Sequence, residues 1–158
     1  MKKIRLPREL YEIKHQPCAI TICSNKKRTI FNDIQFIEGA LKILEMESNS
    51  HNIAVYGFCF MPDHLHLVIA TRLDYNLIDW IGGLKGKLTK LSWDFGYTGA
   101  IFQKRFYDHI IRDEANLLHH VKYVLDNPVR KNLENHRRIF PFVGSFIYDI
   151  EELTGAGG

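Results

Sequence analysis

Cysteine is scarce in this chain. Cys18, Cys23 and Cys59 are the only three in 158 residues. Their number is odd, and no pair has zinc-site spacing. That argues against a disulfide framework and suits reduced thiols in the cytoplasm. Long apolar runs are missing too, and none approaches the roughly 18 residues that a membrane span needs. The opening stretch, MKKIRLPREL, is basic but lacks the apolar segment of a secretory leader. A cytoplasmic protein with no membrane partner is therefore expected. Charge of one sign is also limited. A formal charge of +3 does not by itself announce a nucleic-acid partner. Without repeats or linkers, residues 1–158 read as one domain.

The local distribution of charge says more than the total. Lys85, Lys87 and Lys90 precede a crowded last third that holds Lys104, Arg105, Arg112, Lys122, Arg130, Lys131, Arg137 and Arg138. A basic surface of this kind attracts phosphates, although a solvated face explains it equally well.

Hydropathy patterning gives the elements. CAITIC, residues 18–23, reads as a strand. Ile34, Ile37, Leu41 and Leu44 recur at helical spacing, which predicts a helix over 32–47 capped by Asn32 or Asp33. Residues 53–60 and 64–71 read as a hairpin turned at Met61–Asp63, with Pro62 fixing the turn. A second helix is expected over 74–93. Its Gly82, Gly83 and Gly86 suggest either close approach of a backbone or phosphate chain, or a kink. Residues 101–112 read as one long strand. Asp113 caps a third helix that Pro128 stops. Residues 1–15 are read as a charged arm, the aromatic tail as packing on the domain, and the final TGAGG as disordered. The order strand, helix, strand, strand, helix, strand predicts an α+β, ferredoxin-like (RRM-like) antiparallel sheet with helices packed on it. A C-terminal helix is added to that core.

The chemistry centres on MPDHLHLVIA, residues 61–70. Side chains alternate along a strand, so His64 and His66 share one face while Leu65 and Leu67 take the other. Two imidazoles so placed can serve one metal ion. Asp63 reads first as a turn residue and second as a group that could orient a liganding imidazole. On the third helix, Asn116, His120, Tyr123 and Asn127 fall along one edge of the buried stripe, with Tyr123 and Asn127 one turn apart. If that edge faces the histidines, a metal can polarise a phosphodiester while a phenolate attacks phosphorus. Singly, Tyr123 could be a packing residue and Asn127 a helix cap.

Taken together, PDHLHL at 62–67, FYDHIIR at 106–112 and YVLDNPVR at 123–130 resemble the IS200-like single-tyrosine transposases of the HUH nuclease group. The REP-associated tyrosine transposase branch, with its Y-x-x-x-N-P element, is the nearest in pattern. The resemblance covers a core of about residues 15–135. It implies a partner of single-stranded DNA folded as a hairpin, with no small-molecule substrate. It implies cleavage and rejoining through a 5′-phosphotyrosine. Carried over by position, His64, His66 and Asn127 are metal ligands and Tyr123 is the nucleophile. The implied cofactor is a divalent ion, magnesium or manganese, and a histidine-rich set suits manganese better. His120 is then a base, a phosphate contact or a bystander, and Tyr107 is a rival nucleophile. Lys85, Lys87, Lys90, Lys104, Arg105 and Arg130 are candidate DNA contacts. Monomer and homodimer both stay open. The alternative function is a nucleic-acid-binding module of the same fold whose chemistry is unused.

Overall fold

The computed structural model describes residues 16–71 and 76–154. The arm, the final residues and the first positions of the expected second helix lie outside them. Five strands, β1 (Cys18–Cys23), β2 (Ile53–Met61), β3 (His64–Thr71), β4 (Tyr107–Ile110) and β5 (Val143–Gly144), form one sheet. Its order is β4-β1-β3-β2-β5, and every pairing is antiparallel. The first four strands keep the ferredoxin-like order. The aromatic tail adds β5 to the free side of β2 and places Phe142 in the core.

Helices α1 (Ile34–Ser50) and α2 (Leu77–Trp93) cover one face. Their Phe36, Ile37, Leu44, Trp80, Ile81 and Leu84 pack against Ile20, Ile22, Leu65, Leu67 and Ile69. These are the apolar positions of strict alternation, buried by the period-two geometry of a strand. Helix α3 (Glu114–Leu125) covers the opposite face, where Leu117, Val121, Val124 and Leu125 meet Cys59, Met61 and Val68. Burying each of those α3 side chains contributes about 1.5–3 kcal/mol. The helix starts are set by side-chain oxygens. Asp33 accepts from Gln35 N, Asn76 from Ile78 N, and Asp113 from Asn116 N, each at 2.8 Å.

Three local expectations change. Residues 101–112 are not one strand. Phe102 makes an isolated bridge to Ser24, and regular pairing occurs only at β4. The third helix ends where expected, but Pro128 does not end the helical course of the chain. Helix α3 ends at Leu125, and a short helix α4 (Asn127–Arg130) follows with the proline in its first turn, where a missing N–H costs nothing. Nothing among the described residues stands within 4 Å of a Cβ added at Gly82, Gly83 or Gly86, so no packing among them requires these glycines. The close approaches are at Gly144, where an added Cβ would stand 2.5 Å from Phe58 Cζ, and at Gly39, where it would stand 2.9 Å from Leu91 Cδ2; at Gly57 it would stand 3.4 Å from Val121 Cγ1 of α3.

Candidate active site

The two-residue turn between β2 and β3 is pinned from outside the hairpin. Phe31 N donates to Pro62 O at 3.0 Å, and Ser24 N donates to Asp63 O at 3.0 Å. The strand that leaves this turn carries His64 and His66 on the face that α3 covers, as alternation predicts. Their rings are 4.5 Å apart and nearly perpendicular at 86°. Their Nε2 atoms converge to 3.0 Å.

Each ring is held from behind. Asp63 Oδ1 lies 2.6 Å from His64 Nδ1, so the carboxylate accepts from that nitrogen and leaves Nε2 unprotonated, an acceptor facing His66 Nε2. Asp63 thus contacts the His64 ring as well as holding its place in the turn. Thr21 Oγ1 lies 3.0 Å from His66 Nδ1 across the β1–β3 ladder. Burial is the main cause that pushes His66 down to about 3. His64, Arg130 and Lys131 add to the shift, and Asp63 opposes it. The His66 ring is therefore neutral at any working pH.

The paired imidazoles fit a divalent ion. Two nitrogens about 2.1 Å from one cation and at right angles are separated by about 3.0 Å, the spacing found here. Among the described residues no three His, Cys, Asp or Glu side chains group as a metal cage. A third protein ligand would have to be of another type, and the amide oxygen of Asn127 is of such a type.

Tyr123 is 51% exposed on α3. It lines one cavity of about 180 Å³ together with Thr21, His66, Tyr107 and His120. Asn127 is 3% exposed at the start of α4. Arg130 joins the two. Its guanidinium carbon stands 3.5 Å from the centre of the Tyr123 ring, and its Nη2 donates to Asn127 Oδ1 at 3.0 Å. His120 stacks near His109 at 5.2 Å, and burial followed by His109 and His119 holds it below the usual histidine range.

The other positions fall differently. Asn116 is turned back into the cap, where its Nδ2 donates to Asp113 Oδ2 at 2.8 Å. Lys85 gives its ammonium to the carbonyls of Gln103 and Lys104. Lys87 pairs with Glu47. Lys90, Lys104 and Arg105 are exposed. Arg137, counted above with the basic surface, is only 3% exposed and donates to the carbonyls of Phe31 and Phe60. Thr21 was missed by the sequence reading. Alternation in CAITIC does turn it away from Ile20 and Ile22, but only the register sets it against His66.

Residues 13–127 match the family model for IS200-like transposases. The chain belongs to that family. The matched span of this IS200-like transposase includes both histidines and Tyr123 and ends on Asn127. A Haemophilus influenzae protein assigned as a REP-associated tyrosine transposase is 30% identical over 106 residues. The aligned stretch is 60% of each chain, so this chain spans less than two thirds of that relative. A REP-associated tyrosine transposase solved bound to a REP hairpin has a similar fold, with TM-score 0.65 and 20% identity over 90% of this chain and 82% of the other. A protein from Deinococcus radiodurans assigned as a transposase is also similar. Its TM-score is 0.54 at 14% identity, over 84% of this chain and 98% of that one. No helix among the described residues is long and apolar enough to cross a membrane.

Proposed function

We propose that this IS200-like transposase binds single-stranded DNA beside a hairpin, and cuts and rejoins it through a phosphotyrosine on Tyr123. One observation carries the reading. His66 and Tyr123, from a strand and a helix far apart in sequence, line the same cavity. A nucleophile and a metal-binding imidazole opening on one space have a common use in phosphoryl transfer.

His64, His66 and Asn127 would hold a divalent ion, manganese or magnesium. Such an ion polarises the attacked phosphodiester and offsets its charge. Asp63 and Thr21 keep the two Nε2 lone pairs aimed at a common point. Tyr123 Oη attacks phosphorus, the P–O3′ bond breaks, and a 5′-phosphotyrosine and a 3′-OH result. The phenol proton passes to solvent or to His120, and the leaving 3′ oxygen takes up a proton. No water is consumed, so an incoming 3′-OH can reverse the step and join a new strand. That reaction is strand transfer, which suits DNA in the cytoplasm.

The test is a covalent adduct. A labelled single strand with a hairpin is incubated with protein and Mn²⁺ or Mg²⁺, and products are resolved under denaturing conditions. Wild type and Tyr107→Phe form the protein–DNA link, while Tyr123→Phe binds the hairpin and forms none. Cutting without a link makes the protein a hydrolase, and binding without cutting makes it a binding module. A link lost in Tyr107→Phe and kept in Tyr123→Phe moves the nucleophile to Tyr107.

A further inference from the structure

Arg130 touches both the Tyr123 ring and the Asn127 amide oxygen. Its third contact, Nη1 to Asp126 Oδ2 at 3.5 Å, is long and lies at the exposed rim. A guanidinium whose carbon stands 3.5 Å from a ring centre lies over the ring face, and its planar fork of N–H groups reaches beyond the ring. One of its five donors is given to Asn127. Arg130 also lines, with Tyr123, His119, Lys122 and Asp126, a shallow cavity beside the nucleophile rather than the cavity shared by His66 and Tyr123, so a phosphate held by its remaining donors would reach Tyr123 from that side.

We propose, resting on the phosphotyrosine reading, that Arg130 is a catalytic residue that grips the non-bridging oxygens of the attacked phosphate. It is more than one basic contact among many along the DNA. Attack by Tyr123 Oη forms one O–P bond and breaks P–O3′. In passing through that state the phosphoryl oxygens gather negative charge. A preorganised guanidinium at this point stabilises the transition state more than the ground state. Stacking and donation together fix the phenol ring, the arginine and the amide as one unit. A lysine cannot reproduce it, because an ammonium has no plane to stack and no fork to divide between two acceptors.

The neighbouring cations are placed for other work. Lys85 is bound to the carbonyls of Gln103 and Lys104, and Lys87 to Glu47. Lys122 lines a shallow cavity with His119, Tyr123, Asp126 and Arg130, but no ring or amide contact ties it to the nucleophile. Position and geometry together single out Arg130.

The experiment measures single-turnover adduct formation and hairpin affinity for wild type, Arg130→Ala, Arg130→Lys and Tyr123→Phe. Arg130→Ala should lose about 100-fold or more in adduct rate while hairpin affinity falls only a few-fold. Arg130→Lys should recover affinity without recovering rate. Free guanidinium at millimolar concentration should restore part of the Arg130→Ala rate, which a merely misfolded variant would not allow. A neutral methylphosphonate at the cleaved position should erase most of the difference between wild type and Arg130→Ala. The proposal is overturned if Arg130→Lys reacts at the wild-type rate, if guanidinium rescues nothing, or if the loss in Arg130→Ala is in affinity alone. Those outcomes leave the phosphotyrosine reading intact, because wild type still forms its adduct. An adduct missing from wild type as well overturns that reading, and this proposal with it.

Discussion

Arg137 donates through Nη2 to Phe60 O at 2.9 Å, and Phe60 lies on β2 just before the turn that delivers His64. The same nitrogen reaches Phe31 O at 3.0 Å, and Nη1 reaches Asn32 Oδ1 at 3.1 Å. The guanidinium also lies over the Phe142 ring at 4.7 Å. One side chain thus clasps the segment after α4 to the two stretches that support the histidine hairpin.

Arg137→Met keeps much of the length and removes every donor. Two buried carbonyls would lose their partner, at a cost of about 2–4 kcal/mol for the pair. Urea unfolding should show the midpoint falling with an unchanged slope. A loss below about 0.5 kcal/mol would mean that water replaces the arginine without penalty.

The convergence of the two Nε2 atoms makes a sharper claim about metal. His64→Ala and His66→Ala should each abolish divalent-ion-dependent cleavage, with only a small shift in thermal midpoint, since both rings are partly exposed. Chelator should silence wild type in the same way. Full cleavage by either variant in chelator would remove the metal from the mechanism.

Thr21 and Asp63 should matter without touching metal or DNA. Thr21→Val and Asp63→Ala free the imidazoles to rotate, and each should weaken Mn²⁺ binding about 10-fold or more. Titration of Mn²⁺ by calorimetry or electron spin resonance reads this directly, before any cleavage is assayed. Unchanged affinity in both variants would show that strand geometry alone aims the rings.

The cysteines report on the two faces of the sheet. Burial pushes Cys18 and Cys59 up to about 12, so their thiolates are scarce at pH 8. The thiolate is the reactive form, and a raised value delays its appearance until pH climbs towards it. A thiol reagent at pH 8 should therefore spare both in the native protein and modify them on unfolding. Cys23 is only partly buried and should react first. Rapid native labelling of Cys59 would mean that α3 opens readily from the sheet.

Much of this was already written in the sequence. Alternation in HLHLVIA assigns faces, because a strand has period two whatever surrounds it. Spacing puts Tyr123 one turn from Asn127, and the aspartates and asparagine that cap the helices act within a few residues. The order of elements then leaves few ways to build a sheet. All of these are local properties, decided by neighbours along the chain. The assembly of the site is not. Thr21 meets His66 only because β1 and β3 pair in one register, and a slip by one residue would turn the threonine to the other face. Residues 101–112 carry strand-like composition, yet only Tyr107–Ile110 pair regularly with β1, while Ile101, Phe102 and Gln103 reach its far end through single contacts. Arg137 reads as surface charge until folding surrounds it with carbonyls. Arg130 reads as one more basic residue until the single turn of α4 brings its guanidinium over the Tyr123 ring. Faces and turns follow from covalent geometry repeated along the chain. Register, burial and the meeting of distant side chains depend on packing the whole sheet between its helices, and only the tertiary structure decides them.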